Sequence, residues 1–186
     1  MRVGVQRRKV RVMPARAIDR AWIFEAFDTD EIWARFGFDG PAAARIEGLW
    51  QHGGLVLGVI FREEQRVGFM VIFPPTDHFN FWELSYAIPD PRDRDAFTAL
   101  NASDAMLHYL FDLMQVHAVG WRTQEGNGAA DAIIRRIGYQ PFSVEVINGI
   151  HYTFYAIDAS GWAQRRKRLE AGEEKHPSGG VFQLRQ

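Results

Sequence analysis

The chain has 186 residues, 47% hydrophobic and 13% aromatic, which suits one domain with one sizeable core. It has no cysteine, which excludes disulfides, thiolate zinc sites and a cysteine nucleophile. The net charge is −1, but residues 1–20 hold seven Arg/Lys against one Asp and residues 163–186 hold six against three Asp/Glu, so an acidic body carries basic ends.

The N-terminal stretch MRVGVQRRKVRV is basic and lacks the apolar core of a signal peptide. No run approaches about 20 apolar residues, so the expectation is a cytoplasmic protein with no membrane partner. Val10–Met13 reads as a first strand, ended by Pro14. Ala17, Ala21, Phe24 and Phe27 form a helical stripe over Arg16–Phe27. Asp30–Phe36 reads as a short helix, and after the break at Gly37–Gly40 another runs over Ala42–Trp50, with Pro41 at its start. Leu55–Arg62 and Val67–Phe73 are β-rich runs around Glu63-Glu64-Gln65-Arg66, a hairpin signal. In the strand Phe79–Ile88, alternation puts Trp82, Leu84, Tyr86 and Ile88 on one face and Phe81, Glu83, Ser85 and Ala87 on the other.

Helical spacing returns over Ala102–Met114, then a short strand over Val116–Trp121 and a short helix over Ala129–Arg136 ending at Gly138. Strands Phe142–Ile147 and Ile150–Ile157 flank Asn148-Gly149, the strongest short hairpin signal. Ser160–Ala171 reads as a charged helix, and HPSGGVFQLRQ as an arm or mobile tail. This order predicts an α+β fold with a mixed sheet, in which strands 79–88 and 116–121 are parallel across a right-handed helical crossover and the last hairpin returns antiparallel.

Several stretches carry a family resemblance. Glu83-Leu84-Ser85-Tyr86-Ala87-Ile88-Pro89, the helix Met106–Leu113, Asn127-Gly128-Ala129-Ala130 with Arg135-Arg136-Ile137-Gly138-Tyr139, and Asn148-Gly149 followed by Tyr155-Ala156-Ile157 and Trp162 resemble, in order and spacing, the GNAT superfamily of acyl-CoA-dependent N-acyltransferases. They are most similar to the branch that includes the ribosomal-protein N-terminal acetyltransferases. The resemblance covers residues 80–162. It implies a GNAT-like splayed central sheet flanked by helices in a single domain over residues 1–162, with a charged C-terminal helix and arm over 163–186. It also implies acetyl-CoA as co-substrate, lying between strands 80–88 and 116–121. The amine acceptor would be a protein N-terminus, a lysine or a small molecule.

On that resemblance Glu83 is the candidate catalytic base. A carboxylate whose pKa is raised by burial can take the proton that an ammonium must lose before it attacks a thioester, and Phe81 and Trp82 would supply the desolvation. The alternative is a glutamate on the wet face of a strand. Backbone groups of Ala87 and Ile88 would pair with the pantetheine amides. Asn127 suits both a helix N-cap and a contact to the pantetheine arm. Ala130 stands where the family often has a serine able to help the leaving thiolate. Tyr139 could donate a proton instead, although a Gly-Tyr pair after a helix more often packs in a core; Tyr155 is a remoter candidate. The histidines form no metal set, and Asp90, Asp93 and Asp95 lack the glycine and closing glutamate of a calcium loop, so no metal is expected. His78, just before the Glu83 strand, could line a substrate mouth.

The phosphate-binding loop departs from the family. Its R-G-x-G-Y-A pattern falls on Arg94-Asp95-Ala96-Phe97-Thr98-Ala99, so aspartate and phenylalanine replace both glycines. The resemblance would make Arg94, Ala96, Phe97 and Thr98 pyrophosphate contacts, with N–H groups arranged as an anion nest. Arg92, Asn101 and Ser103 could assist. Each inward aspartate would cost about 3 kcal/mol at about 5 Å and an effective dielectric near 20; an outward one would matter little. Asn101 or Ser103 could instead cap the following helix, with Asp104 in its first turn. Two functions follow: an N-acyltransferase moving an acetyl or other short acyl group by direct amine attack, or a GNAT-fold binding module without catalysis that uses Arg7-Arg8-Lys9 and Arg165-Arg166-Lys167-Arg168. Nucleic acid is not expected as a partner, and Trp162 with the VFQLR tail leaves room for a homodimer.

Overall fold

A computed structural model describes residues 10–26, 47–48, 50–51, 56–76, 79–172 and 181–182. The helix expected over Asp30–Phe36, the break at Gly37–Gly40, most of Ala42–Trp50, His78 and Arg7-Arg8-Lys9 lie outside them; Glu47, Gly48, Trp50 and Gln51 are helical.

The strands are β1 (Val10–Pro14), β2 (Val56–Arg62), β3 (Gln65–Phe73), β4 (Trp82–Ala87), β5 (Ala118–Gln124), β6 (Gln140–Ile147), β7 (Ile150–Asp158) and the two-residue β8 (Val181–Phe182). They form one mixed sheet in the order β6-β7-β5-β4-β3-β2-β1-β8. β1 to β4 form an antiparallel meander. β4 and β5 are parallel, and β7 returns antiparallel to β5 with β6 outside it. Asn148 and Gly149 take φ of 52° and 77°, the paired left-handed geometry of a type I′ hairpin. Part of the C-terminal arm, Val181–Phe182, pairs with Arg11–Val12 of β1.

The helices are α1 (Arg20–Ala26, entered through a 3-10 turn at Ala17–Asp19), α2 (Ala96–Leu107), α3 (Gly128–Ile137) and α4 (Ala159–Glu170). Alternation along the strands divides the apolar residues between two cores. One joins Val12, Ile60, Met70, Ile72, Leu84 and Val119 to α2, α3 and Trp162. The smaller one packs Ile23 of α1 on Val59, Phe69 and Val71 across the sheet. The fold is thus a single GNAT-like α+β domain, as the resemblance implied.

The crossover helix starts six residues earlier than its apolar stripe suggests, because Asp95 supplies an N-cap upstream of that stripe. Asn101 and Ser103 are therefore not caps. They lie inside α2 and donate to the carbonyls of Phe97 and Ala99 one turn back, a bond that short polar side chains make within helices. Asp104 is not in the first turn either. It is buried and takes both Nε and Nη2 of Arg165 from α4, at 3.1 and 2.9 Å. Arg165 is only 2% exposed, so the basic run 165–168 is no free arm: Arg166 meets Asp112 at 3.3 Å and Arg168 donates to the Ile137 carbonyl. Trp162 is buried, its ring stacked on Phe111 and its indole N–H directed at Asp112, so it cannot dock a second subunit. The boundary drawn between residues 162 and 163 falls inside α4.

Candidate functional site at the fork of the sheet

β4 pairs with β3 as far as Ala87, and β5 pairs with β7 as far as Gln124. Between them, β4 and β5 are joined only at Trp82–Val119 and Glu83–Gly120. Beyond that pair the strands diverge and leave facing edges with backbone groups outside any ladder. An extended, amide-bearing ligand is the natural partner for such edges.

Glu83 stands at the fork. Its neighbours Trp82, Leu84 and Tyr86 face the α2 core, which puts Glu83 on the opposite face with Phe81 and Ser85. The Phe81 ring lies over Gly120, where any Cβ would overlap it; this close approach is why β5 carries a glycine there. Phe81 belongs to an aromatic group with Phe79, Phe142 and Phe154, whose centroid separations run from 4.9 Å for Phe79–Phe154 to 6.2 Å for Phe142–Phe154. Phe81 can help desolvate Glu83. Trp82 cannot, because it is on the other face.

One further side chain shares the fork. Arg122, on the same face of β5 as Gly120, brings Nε to 2.8 Å from Glu83 Oε1, with side-chain exposures of 16% and 13%. The two atoms are in ion-pair contact, yet neither has an aligned hydrogen bond. Burial pushes the Glu83 carboxyl above its ordinary value, while the Arg122 charge pulls it down. Sequence reasoning missed Arg122; the available signal was its period-two spacing from Gly120 in a strand expected to run beside Glu83.

The loop between β4 and α2 is closed on itself. Asp90 caps a 3-10 turn at Pro91–Asp93 and takes the Arg92 guanidinium at 2.5–3.0 Å; the hydrogen bonds from the Arg92 side chain and backbone hold its pKa at about 2. Arg94 turns back, donating to the carbonyls of Ile88 and Pro89 at 2.7 Å each. The amides of Asp93, Arg94 and Asp95 donate to the carbonyls of Asp90, Pro91 and Asp93. Asp95 Oδ1 accepts from the Thr98 amide at 2.6 Å, and its Oδ2 lies 3.2 Å from Arg62 Nη1 at the end of β2. Arg62 also grips Asp93, which is only 7% exposed. Both aspartates therefore meet one arginine, Asp93 buried and Asp95 with its side chain 37% exposed. Phe97 packs against the α2 core. The Arg94 side chain, the Thr98 amide and the carbonyl of Ile88 are already committed within the chain, while the Thr98 hydroxyl is buried without a hydrogen-bond partner. Ala96 and Phe97, the first two helical residues, keep N–H groups outside the helix ladder.

At the next helix entrance Asn127 accepts from the Ala130 amide at 3.3 Å; it is the N-cap of α3. Tyr155 does not face the fork, its hydroxyl donating to Asp131 of α3 at 3.2 Å, alongside Thr123 at 2.7 Å. Tyr139 is a core residue packed edge-on to Trp121 at 5.8 Å, and burial raises its hydroxyl well above the ordinary value. Tyr86 also packs edge-on to Trp121, at 5.0 Å, and burial raises it too, against a hydrogen bond with Ser103. Among the described residues no helix is long and apolar enough to cross a membrane, and no group of three or more His, Asp or Glu is placed to hold a metal ion.

A family model described as an acetyltransferase (GNAT) domain matches residues 9–140. No curated protein matches the chain. Among solved structures, the aminoglycoside acetyltransferase AAC(6')-Ib in complex with coenzyme A superposes with TM-score 0.72 at 10% identity, over 85% of this chain and 99% of that one. Spermidine N-acetyltransferase from Vibrio cholerae with CoA and spermine gives 0.71 at 14%, over 83% and 98%. Mycobacterium smegmatis RimJ with CoA-disulfide gives 0.67 at 19%, over 89% and 92%. These likenesses are of fold.

Proposed function

The chain belongs to the GNAT acetyltransferase family, and from that premise we propose that it is an N-acyltransferase that moves an acetyl or other short acyl group from a thioester to a primary amine. The observation that carries this reading is the fork itself: a parallel strand pair that ends at Glu83–Gly120 and leaves a carboxylate, its side chain 13% exposed, at the point of divergence. The branch closest to RimJ is the proposed affiliation. The acceptor is a primary amine on a protein N-terminus, a lysine or a small molecule.

The expected co-substrate, acetyl-CoA, meets two different surroundings. The facing edges of β4 and β5, with Ala87 on one side and Asn127 at the far end of the other, suit the amide-bearing pantetheine arm. The entrance of α2 is a poor match for the diphosphate: only the Ala96 and Phe97 amides lie outside the helix ladder, while its cap, its loop amides and both loop arginines have internal partners. In the chain's own chemistry Glu83 takes the proton of the incoming ammonium. The Arg122 charge beside that carboxylate offsets part of the effect of burial, which raises its pKa. Ala130 supplies no hydroxyl, so the departing thiolate has no serine at that position.

Glu83→Gln should fold normally and lower acyl transfer by about 10²–10⁴-fold; the check is single-turnover transfer to spermidine, a lysine peptide and an N-terminal peptide. Turnover equal to wild type in that variant removes Glu83 from the mechanism. Arg122→Gln removes the charge that lowers the Glu83 pKa, so the acid limb of the rate profile should move to higher pH, because the base then needs a higher pH to ionise. An unchanged acid limb would separate Arg122 from Glu83.

The closed α2 entrance favours the second reading, a GNAT-fold binding module without catalysis. Its basic C-terminal run, however, is largely committed inside the fold. Absence of thioester binding at millimolar concentration would select this module over the enzyme.

A further inference from the structure

A helix start leaves N–H groups that attract an anion, and a side-chain cap competes with a bound phosphate for them. At the entrance of α2 an anion is already there. The Asp95 carboxylate holds the Thr98 amide with one oxygen and Arg62 with the other. Arg62, 16% exposed in its side chain, also grips Asp93, 10% exposed, so Asp95 is steered from a third element rather than by its own loop. The amides that precede the helix are used in the 3-10 turn, and Arg92 and Arg94 are turned to Asp90 and to the carbonyls of Ile88 and Pro89. A diphosphate arriving here finds the Ala96 and Phe97 amides outside the helix ladder, but the Asp95 carboxylate caps the same helix end, and the one arginine aimed at the place is neutralised by two aspartates.

We propose that Asp95, seated by Arg62 and Asp93, is a built-in anion in the place of a nucleotide diphosphate, so that the donor this site takes is a pantetheine thioester without a nucleotide. This rests on the acyl-transfer reading above. The edges of β4 and β5 beyond Glu83 remain open to the pantetheine amides. Like charges near 5 Å at this half-buried place weaken binding of a diphosphate on the order of 100-fold, which cancels what the nucleotide could contribute.

The experiment compares S-acetylpantetheine with acetyl-CoA on the full chain, by calorimetry and by acetyl transfer to a common amine. The expected result is saturation by both, with affinities within about threefold. Acetyl-CoA tighter by tenfold or more overturns the proposal and leaves acyl transfer standing; saturation by neither at millimolar concentration overturns both. Asp95→Ser keeps a helix cap while removing the charge, and should tighten acetyl-CoA by about tenfold with S-acetylpantetheine unchanged. Equal behaviour of the variant and wild type toward acetyl-CoA also overturns the proposal. Should Asp95→Ser fail to fold, Asp95→Asn makes the same comparison with the shape of the cap retained.

Discussion

The helices that follow the two parallel strands of the fork begin in opposite ways. After β4, α2 is capped by a charged aspartate, and the loop before it is held by arginines 62, 92 and 94. After β5, α3 is capped by the neutral Asn127 at 3.3 Å, flanked by Gly126 and Gly128, whose Cβ positions face open space. Both meet the same requirement, an acceptor for the first helical N–H groups. The first meets it with a carboxylate tied to the body of the sheet through Arg62. The second uses a weakly held amide oxygen with room beside it. In one sheet, then, one entrance carries a charged carboxylate cap and the other a neutral amide cap.

The largest expected effect tests the tie to the sheet. Arg62→Ala strands the buried Asp93 carboxylate without its cation and should destabilise the fold by about 3 kcal/mol, the lower part of the range for breaking a buried pair; chemical denaturation measures it. A loss below about 0.5 kcal/mol would reduce the clasp to a surface pair and dissolve the contrast between the entrances. Next come the caps themselves. Asp95→Ala should cost about 1–2 kcal/mol and Asn127→Ala about 0.5–1 kcal/mol, since the first loses a short cap bond and an ion pair and the second a long bond alone. Equal losses in the two unfolding curves would mean that Arg62 adds nothing at Asp95.

The smallest effect is one of pH. Asp90 has its pKa depressed to about 2 by Arg92. A depressed folded-state pKa gives stabilisation that is full above the ordinary value of 3.8 and disappears as pH falls through about 2. The amides of Arg92 and Asp93 should therefore stay protected from exchange down to about pH 4 and lose protection below it, while those at 128–130, capped by an asparagine that does not titrate, should not follow. Parallel loss at both entrances would show global acid unfolding instead.

Much of this architecture could be read from short stretches. The alternation over Phe81–Ile88 divides the strand between the two faces it occupies, Asn148-Gly149 takes the turn its type requires, and the single helical crossover makes β4 and β5 parallel. Asn127 as a cap also follows from its place before Gly128. These are local matters, decided by side-chain period, by φ > 0 in a turn, and by the N–H groups of a helix start.

The site was less legible. Glu83 could be named, but not the arginine beside it, because nothing near Arg122 in the chain refers to Glu83; the parallel register of β4 and β5 brings them together. Asp93 and Asp95 stood out as misfits in a phosphate loop, yet their direction depended on Arg62, 31 and 33 residues earlier. The basic run at 165–168 looked free because its acceptor Asp104 lies 61 residues away. The sequence by itself therefore determined the order of the strands from β1 to β7 and the superfamily, which rest largely on patterns within a few residues. Tertiary structure alone decided which charges are neutralised, since an ion pair depends on where two remote strands and helices place their side chains, and that placement seats Asp93 and Asp95 on Arg62.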